Sequence, residues 1–186
     1  MSGYCKIAPG HPVHNDYHEK EYGFPVADEH VLFERLALEI MQAGLSWEIV
    51  LKKRKGMNKA FHRFLVDKVA AYKAADIKRL LKDEGIIRNR LKIEAIIENA
   101  RRIQTLRKTH KSLAKWIAAH HPLTKADWTK LFRAQFKFMG GEIVGEFLMS
   151  IGYLPDAHHA RCRVYKAIAK KRPPWTAAAK TGFKYR

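Results

Sequence analysis

The chain has 186 residues, of which 47% are hydrophobic, enough to build one sizeable core or two small lobes that share one. Lysine and arginine outnumber aspartate and glutamate 36 to 18, and the net charge of +18 indicates nucleic acid as a partner rather than an idle basic surface. No stretch reaches the ~18 apolar residues of a membrane helix, and no apolar signal segment opens the chain. Membrane-embedded and secreted classes are therefore excluded, and a cytoplasmic protein is expected.

Helical periodicity dominates the first half of the chain. Asp28 and Ser46 are typical N-cap residues, each placed directly before an apolar-periodic segment. Gly44 is predicted to stop the helix that Asp28 begins, and Gly85 is predicted to end the last helix of this half. The predicted helices cover residues 29–43, 47–64, 66–74 and 76–85.

The second half is also helical in pattern. Apolar residues repeat at three and four positions over 87–120, as in an amphipathic helix pair, and two more helices are predicted at 124–135 and 142–152. The compact turn "FKFMGG" separates these last two. The basic, proline-broken stretch 170–186 is interpreted as a tail. With no alternating strands, glycine-rich phosphate loop or fixed-period repeat in the pattern, the predicted fold is all-α.

A carboxylate lies on the apolar side of the first capped helix. Glu39 follows Leu32 by seven residues and Leu36 by three, which places it on the buried stripe of a helix with 3.6 residues per turn. A functional acid is one explanation, because buried charges are usually paired or functional. The other is a surface pair with Arg35, four residues back. Trp47 is likewise either a pocket residue or ordinary core.

Cysteine and histidine residues form a second candidate group. Cys5 and His18 lie near one end of the chain, and His158 lies one helical turn before Cys162 near the other. Two thiolates and two imidazoles make a complete tetrahedral zinc set, and two distant cysteines in a chain of a reducing compartment bind metal more often than they cross-link. Such a metal would join the two ends of the chain. Chance pairing among ten histidines remains the alternative, and His159 is a competing ligand.

Taken together, these motifs identify a resemblance. The ordered combination "LFERLALEIMQAGLSW", "GIIRNRLKIEAIIENA" and "FKFMGG", with "YHEKEYGFP" before it and the His158/Cys162 pair after it, resembles DNA-3-methyladenine glycosylase I, the zinc-containing branch of the helix-hairpin-helix DNA glycosylases. The resemblance runs from about Cys5 to Tyr165. It implies a glycosylase domain of two helical lobes over 1–165, a basic tail over 166–186, and a zinc site that joins the two terminal segments.

The resemblance also implies roles for particular residues. Glu39 matches the pocket carboxylate and is the expected catalytic residue, with a flipped-out purine bound by Glu39, Tyr17, Trp47 and the replaced position His14. The implied DNA-binding residues are Leu45, Lys137, Gly140 and Gly141, and the implied ligands of one structural Zn²⁺ are Cys5, His18, His158 and Cys162. Lys52, Lys53, Arg54 and Lys55 are expected to hold backbone phosphates nearby. Asp156 lies where related glycosylases carry an aspartate, but it adjoins the zinc ligands and is given no role.

The implied reaction is release of 3-methyladenine from alkylated double-stranded DNA by a monomer. Four positions depart from the family pattern: Ile7 replaces a tryptophan, His14 a tyrosine, and Ile40 and Met41 stand where polar or small residues are common. A second reading therefore stays open, a non-catalytic or altered-specificity DNA-binding protein on the same scaffold. A general RNA-binding protein is disfavoured because no stacking sheet is visible.

Overall fold

The computed structural model describes residues 3–185. This part of the chain is helical and contains no β-strand, which confirms the all-α prediction. The α-helices are α1 (Gly3–Ile7), α2 (Asn15–Lys20), α3 (Glu29–Gln42), α4 (Trp47–Ala60), α5 (Val66–Ala70), α6 (Ala74–Lys82), α7 (Arg90–His110), α8 (Leu113–His120), α9 (Lys125–Gln135), α10 (Gly141–Ser150), α11 (Tyr165–Lys170) and α12 (Pro174–Lys180). No helix within 3–185 is both long and apolar enough to cross a lipid bilayer.

Helix α3 runs through the centre of the core. Every residue from Leu32 to Met41 is buried, and α4, α7, α8 and α10 pack around the helix. The carboxylate of Asp28 accepts hydrogen bonds from the amides of His30 (2.9 Å) and Val31 (3.1 Å), so the predicted N-cap is confirmed. Because α3 is enclosed on all sides, any polar residue on it must be paired or must face a cavity.

The turn between α3 and α4 is held from outside by a buried lysine. Gly44 adopts a φ of +79° that a side chain would strain, and Ser46 caps α4 through the amide of Ile49 at 3.4 Å. Lys92 on α7 donates to the carbonyls of Met41 (2.9 Å) and Ala43, which are free acceptors at the end of α3. This lysine fixes the position at which α4 and its first residue, Trp47, begin.

Three predicted helix ends are wrong, the first being that of α5, which ends at Ala70 rather than at 74. Helix α4 ends at Ala60, not at 64, because residues 62–64 form a turn with positive φ that stacks the rings of Phe61 and Phe64 in the core at 5.4 Å. Helix α6 ends at Lys82, three residues before Gly85. Gly85 instead allows close packing, because a side chain on the facing Gly56 would meet the Gly85 carbonyl at 2.2 Å.

The α9–α10 connection is braced by one side chain. Asn99 on α7 is fully buried; its amide donates to the Lys137 carbonyl (3.1 Å) and its carbonyl accepts from the Lys137 amide (2.7 Å). This pairing fixes the turn over 136–140, in which Phe138 has a φ of +64°. The amino terminus of α10, beginning at Gly141, is thereby held in a defined position relative to the core.

The carboxyl-terminal segment is not the extended tail that its prolines suggested. It contains α11 and α12, the amide of Trp175 donates to the Gly152 carbonyl (3.2 Å), and the Tyr185 hydroxyl contacts Nε2 of His121 at 2.9 Å. Pro174 occupies the first turn of α12, where a proline suits a helix because the missing amide would have no partner. The segment therefore packs back on the α8–α10 side of the fold.

Candidate active site and metal cluster

A partly open cavity of about 300 Å³ lies between the amino-terminal helices, α3, α4 and α10. This volume is at the lower end of the range for ligand cavities, which suits one small, flat molecule. Four aromatic rings and three carboxyl groups dominate its walls. The lining residues are Tyr4, Tyr17, Tyr22, Glu39, Gln42, Trp47, Glu146, Met149, Asp156 and Ala157.

Glu39 faces this cavity from the centre of α3. Only 4% of the residue is exposed, and its carboxylate makes no hydrogen bond or ion pair with another residue of 3–185. Burial raises the pKa of Glu39 well above its ordinary value, the charge of Glu146 raises it further, and Arg35 opposes the shift. The surface pair with Arg35 is wrong, since Arg35 is itself buried and bonds Glu21 at 2.9 Å.

Tyr17 and Trp47 form the aromatic wall beside Glu39. Their rings meet edge to face with centroids 5.1 Å apart. Tyr17 is held from behind by Arg35, whose guanidinium lies 5.0 Å from the ring centroid and donates to the hydroxyl at 3.4 Å. Both rings that the sequence analysis singled out therefore line the same cavity as the carboxylate.

Several lining residues were not predicted, Tyr4, Tyr22 and Glu146 among them. Tyr4 precedes the first cysteine and lies edge to face with Tyr22 at 5.6 Å. Tyr22 belongs to the quoted motif "YHEKEYGFP", so the resemblance offered a signal for it. Glu146 lies on α10 and accepts a hydrogen bond from the Tyr22 hydroxyl at 2.9 Å. Asp156, left without a role, also lines the cavity.

The four departures from the family pattern do not line the cavity. His14 is buried behind Tyr4, with Nδ1 3.4 Å from its hydroxyl, so its expected contact with a substrate is not seen. Ile7 is 61% exposed on the surface, whereas Ile40 and Met41 are core residues of α3. These four residues therefore make no part of the cavity wall in this protein.

Cys5, His18, His158 and Cys162 come together as one buried group, with ligand atoms all within 4.8 Å of one another. Nδ1 of His158 lies 3.7 Å from the sulfur of Cys5 and 3.4 Å from that of Cys162, which is 3.7 Å from Nε2 of His18. Metal–sulfur bonds of ~2.3 Å and metal–nitrogen bonds of ~2.0–2.1 Å at tetrahedral angles require a separation of about 3.6 Å. The group could hold a metal ion.

The outer nitrogens of both histidines support that reading. Nε2 of His158 lies 2.8 Å from the Tyr22 carbonyl and Nδ1 of His18 lies 2.7 Å from the Glu19 carboxylate. Because these oxygens only accept, each outer nitrogen carries the proton and the lone pair of the inner nitrogen faces the thiols. His159, the competing ligand, is outside the group, and its Nδ1 accepts from the Arg161 amide at 3.1 Å.

A groove adjoins the cavity on the side of the α9–α10 turn. It is lined by Leu45, Gly140 and Gly141, and it shares Glu39 and Gln42 with the cavity. A β-carbon on Gly140 would meet nothing within 4 Å, and one on Gly141 would have only ordinary contacts, so space lies open above this backbone. Lys137 is exposed on the turn but lines a different depression beside Phe138.

The basic residues of α4 are less free to bind DNA phosphates than the sequence predicted. Arg54 donates to the carboxylates of Glu21 and Glu34 at 2.8–3.0 Å, so it belongs to the partly buried ion network that also holds Arg35. Lys52 pairs with Glu48 on the surface. Arg54 is therefore a structural residue rather than a free phosphate contact, which corrects the expectation for this position.

Comparisons with known proteins identify the family of this chain. The sequence model of the methyladenine glycosylase family matches residues 7–129. The DNA-3-methyladenine glycosylase of Haemophilus influenzae is 34% identical over 175 residues, covering 84% of this chain and 95% of the relative. A crystal structure of 3-methyladenine DNA glycosylase I is 34% identical with a TM-score of 0.77, covering 86% of this chain and 97% of that one. The structure of the Staphylococcus aureus enzyme, described as the basis of its 3-methyladenine recognition, is 30% identical with a TM-score of 0.78, covering 87% and 96%. The chain belongs to the methyladenine glycosylase family.

Proposed function

We propose that this protein is a DNA base-excision repair glycosylase that releases 3-methyladenine from alkylated DNA. The observation that carries the proposal is Glu39, a buried carboxylate that faces an aromatic cavity and has no counter-ion bonded to it among residues 3–185. Relatives across most of the chain bear that activity in their names. An unpaired buried acid is costly, and a cationic ligand removes that cost.

The chemistry suits this cavity. Methylation at N3 gives the base a formal positive charge and makes it a good leaving group. Water then forms a bond to C1′ of the sugar and gives up one proton to solvent, while the C1′–N9 bond breaks and its electron pair leaves with the base, which becomes neutral. The protein must extrude the base, recognise it and admit water. Glu39 accepts hydrogen bonds from the exocyclic amine and favours the cation, while Tyr17 and Trp47 provide stacking and cation–π attraction.

The groove beside the cavity is the proposed path of double-stranded DNA. The α9–turn–α10 unit acts as the helix-hairpin-helix, whose backbone amides at Gly140 and Gly141 bind a phosphate at the start of a helix. Leu45 is 39% exposed at the edge of the groove and is placed to fill the space that the extruded base leaves. Lys137 supplies positive charge to the backbone nearby.

The cysteine–histidine group holds one structural zinc ion in this proposal. The donor set, the near-tetrahedral separations and the protonated outer nitrogens fit Zn²⁺, which in a four-ligand site has a structural rather than a catalytic role. Its ligands tie α1 and α2 to the loop before α11. We assign residues 1–165 to the glycosylase domain of a monomer and 166–186 to a basic segment that packs on it.

Incubation with methylated duplex DNA tests the function. Chromatography of the supernatant should detect free 3-methyladenine, and duplex that was not methylated should give none. A protein that binds DNA but releases no base would support the non-catalytic alternative instead. The sequence features that favoured that alternative are the net charge of +18 and the substitutions at Ile7, His14, Ile40 and Met41, four residues that do not line the cavity.

A further inference from the structure

The cavity contains an acid that the proposed reaction does not use. Glu146 lies on the second turn of α10 and lines the cavity together with Glu39 on α3, the helix against which α10 packs. Glu39 is deeply buried, whereas Glu146 is half-buried. A structural glutamate on a helix usually pairs with a cation, but no salt bridge is formed by Glu146 within residues 3–185.

Tyr22 holds the carboxylate of Glu146 in place. Its hydroxyl donates to Oε2 at 2.9 Å, and burial raises the pKa of Tyr22 well above its ordinary value, so the phenol keeps its proton and acts as the donor. A donated hydrogen bond favours the ionised form of the acceptor. Burial raises the pKa of Glu146, and the Tyr22 bond opposes that shift.

The charged neighbours do not neutralise the cavity. Glu142 and Lys125, which face Glu146 from α10 and α9, bond each other at 2.8 Å and largely cancel. Arg35 lies one turn before Glu39 on α3, but it is bonded to Glu21. None of the described lining residues is a lysine, arginine or histidine, although the chain carries a net charge of +18. A strongly basic protein therefore contains an acidic cavity.

We propose that Glu146 is a specificity-determining residue of this site: together with Glu39, and beside the third carboxyl group of the wall, Asp156, it makes an acidic cavity that selects bases carrying a formal positive charge. The inference rests on the proposed function. Two acids in one partly buried cavity repel each other, and a cationic purine relieves that repulsion, whereas a neutral purine of the same shape does not. Glu146 thus widens the margin by which 3-methyladenine is preferred over undamaged adenine.

The test compares a cationic with a neutral lesion in Glu146→Gln. With methylated duplex, kcat/KM for 3-methyladenine release should fall about tenfold, because one close charge interaction with the bound cation is lost. With duplex containing 3-deaza-3-methyladenine, a neutral mimic in which carbon replaces N3, the Kd should stay within about twofold of wild type. The inference would be overturned if binding of the neutral mimic weakened as much as kcat/KM for 3-methyladenine release fell. It would also be overturned if release were unchanged.

Two further variants complete the experiment. Glu84→Gln removes one negative charge from an exposed site away from the cavity and should leave both quantities unchanged. If Glu84→Gln lowered release as much as Glu146→Gln does, the effect would come from the net charge of the protein, and the proposal would be contradicted. Tyr22→Phe keeps the Glu146 carboxylate but removes its hydrogen-bond donor. It should lower kcat/KM for 3-methyladenine release and leave the Kd for the neutral mimic unchanged. This variant keeps the inference testable if Glu146→Gln does not fold. Wild-type protein that releases no 3-methyladenine would refute the proposed function itself, a distinct outcome.

Discussion

At the residue scale, the charge of Glu39 is expected to affect both base release and the stability of the fold. Glu39→Gln keeps the shape of the side chain but removes the charge that holds a cationic base. A hydrogen bond to a charged group is worth ~1.5–3 kcal/mol, so base release should fall about 10- to 100-fold. A well-folded Glu39→Gln protein with normal release would show that the carboxylate is dispensable, and Asp156 on the same wall would be tested next.

The same substitution should make the fold more stable. Burial raises the pKa of Glu39, so the wild-type protein loses stability as the pH rises from the ordinary glutamate pKa towards the raised value, because the unfolded chain ionises first. Urea unfolding at pH 7 should show Glu39→Gln to be the more stable protein. The gap should close below about pH 4, where glutamate is protonated in both states. A variant less stable at pH 7 would contradict this pH linkage.

The sequence indicated some residues of the cavity and missed others for a physical reason. Glu39 stood out because a charge interrupts an apolar stripe, and Trp47 because it follows a capped turn. Tyr4, Tyr22 and Glu146 come from three separate segments, and nothing in their local pattern shows that they converge. His14 was placed in the pocket by analogy of position, but the ring turns behind Tyr4.

At the element scale, the start of α10 allows a clean test of DNA binding. Gly140 has an ordinary φ of −82° and open space at its β-carbon, so Gly140→Leu should fold normally and block close approach of a phosphate. Losing charged hydrogen bonds there should weaken binding to duplex about 10-fold or more, measured by fluorescence anisotropy at one fixed salt concentration. Gly140→Ala is the matched control, with a much smaller loss. Unchanged binding of Gly140→Leu would remove this turn from the DNA interface.

The helix starts at Asp28 and Ser46 were predictable from their capping residues, whereas the break after α4 was not. Asp28 and Ser46 cap their helices as expected. The break at 62–64 puts histidine, arginine and phenylalanine at positive φ, for which no glycine gives a signal, and only core packing of Phe61 and Phe64 explains it. The prolines near 173 were taken as a break, but the same residues also start helices.

At the scale of the whole molecule, the two ends of the chain meet at the cysteine–histidine group, which also supports the cavity. His158 contacts the carbonyl of Tyr22, whose side chain holds Glu146, so one residue links the cysteine–histidine group to the acidic wall. The resemblance gave the four ligands, but not this connection, because it depends on how the loop after α10 folds over α2. Loss of the metal is therefore expected to disturb the cavity as well as the fold.

Metal analysis and unfolding test that coupling together. Wild-type protein purified without added zinc should contain about one equivalent, and Cys162→Ala should lose it, because a four-ligand site fails when one thiolate is removed. Since metal binding is linked to folding, the free energy of unfolding should fall by at least ~3 kcal/mol, or about 6–12 °C in Tm for a chain of this size. His159→Ala is the matched control; it lies three residues away outside the group and should keep both metal and stability. If Cys162→Ala retained its zinc while His159→Ala lost it, the ligand would be His159. The loop that carries His158 would then have a different conformation, and the proposed link from the metal site through Tyr22 to Glu146 would be wrong.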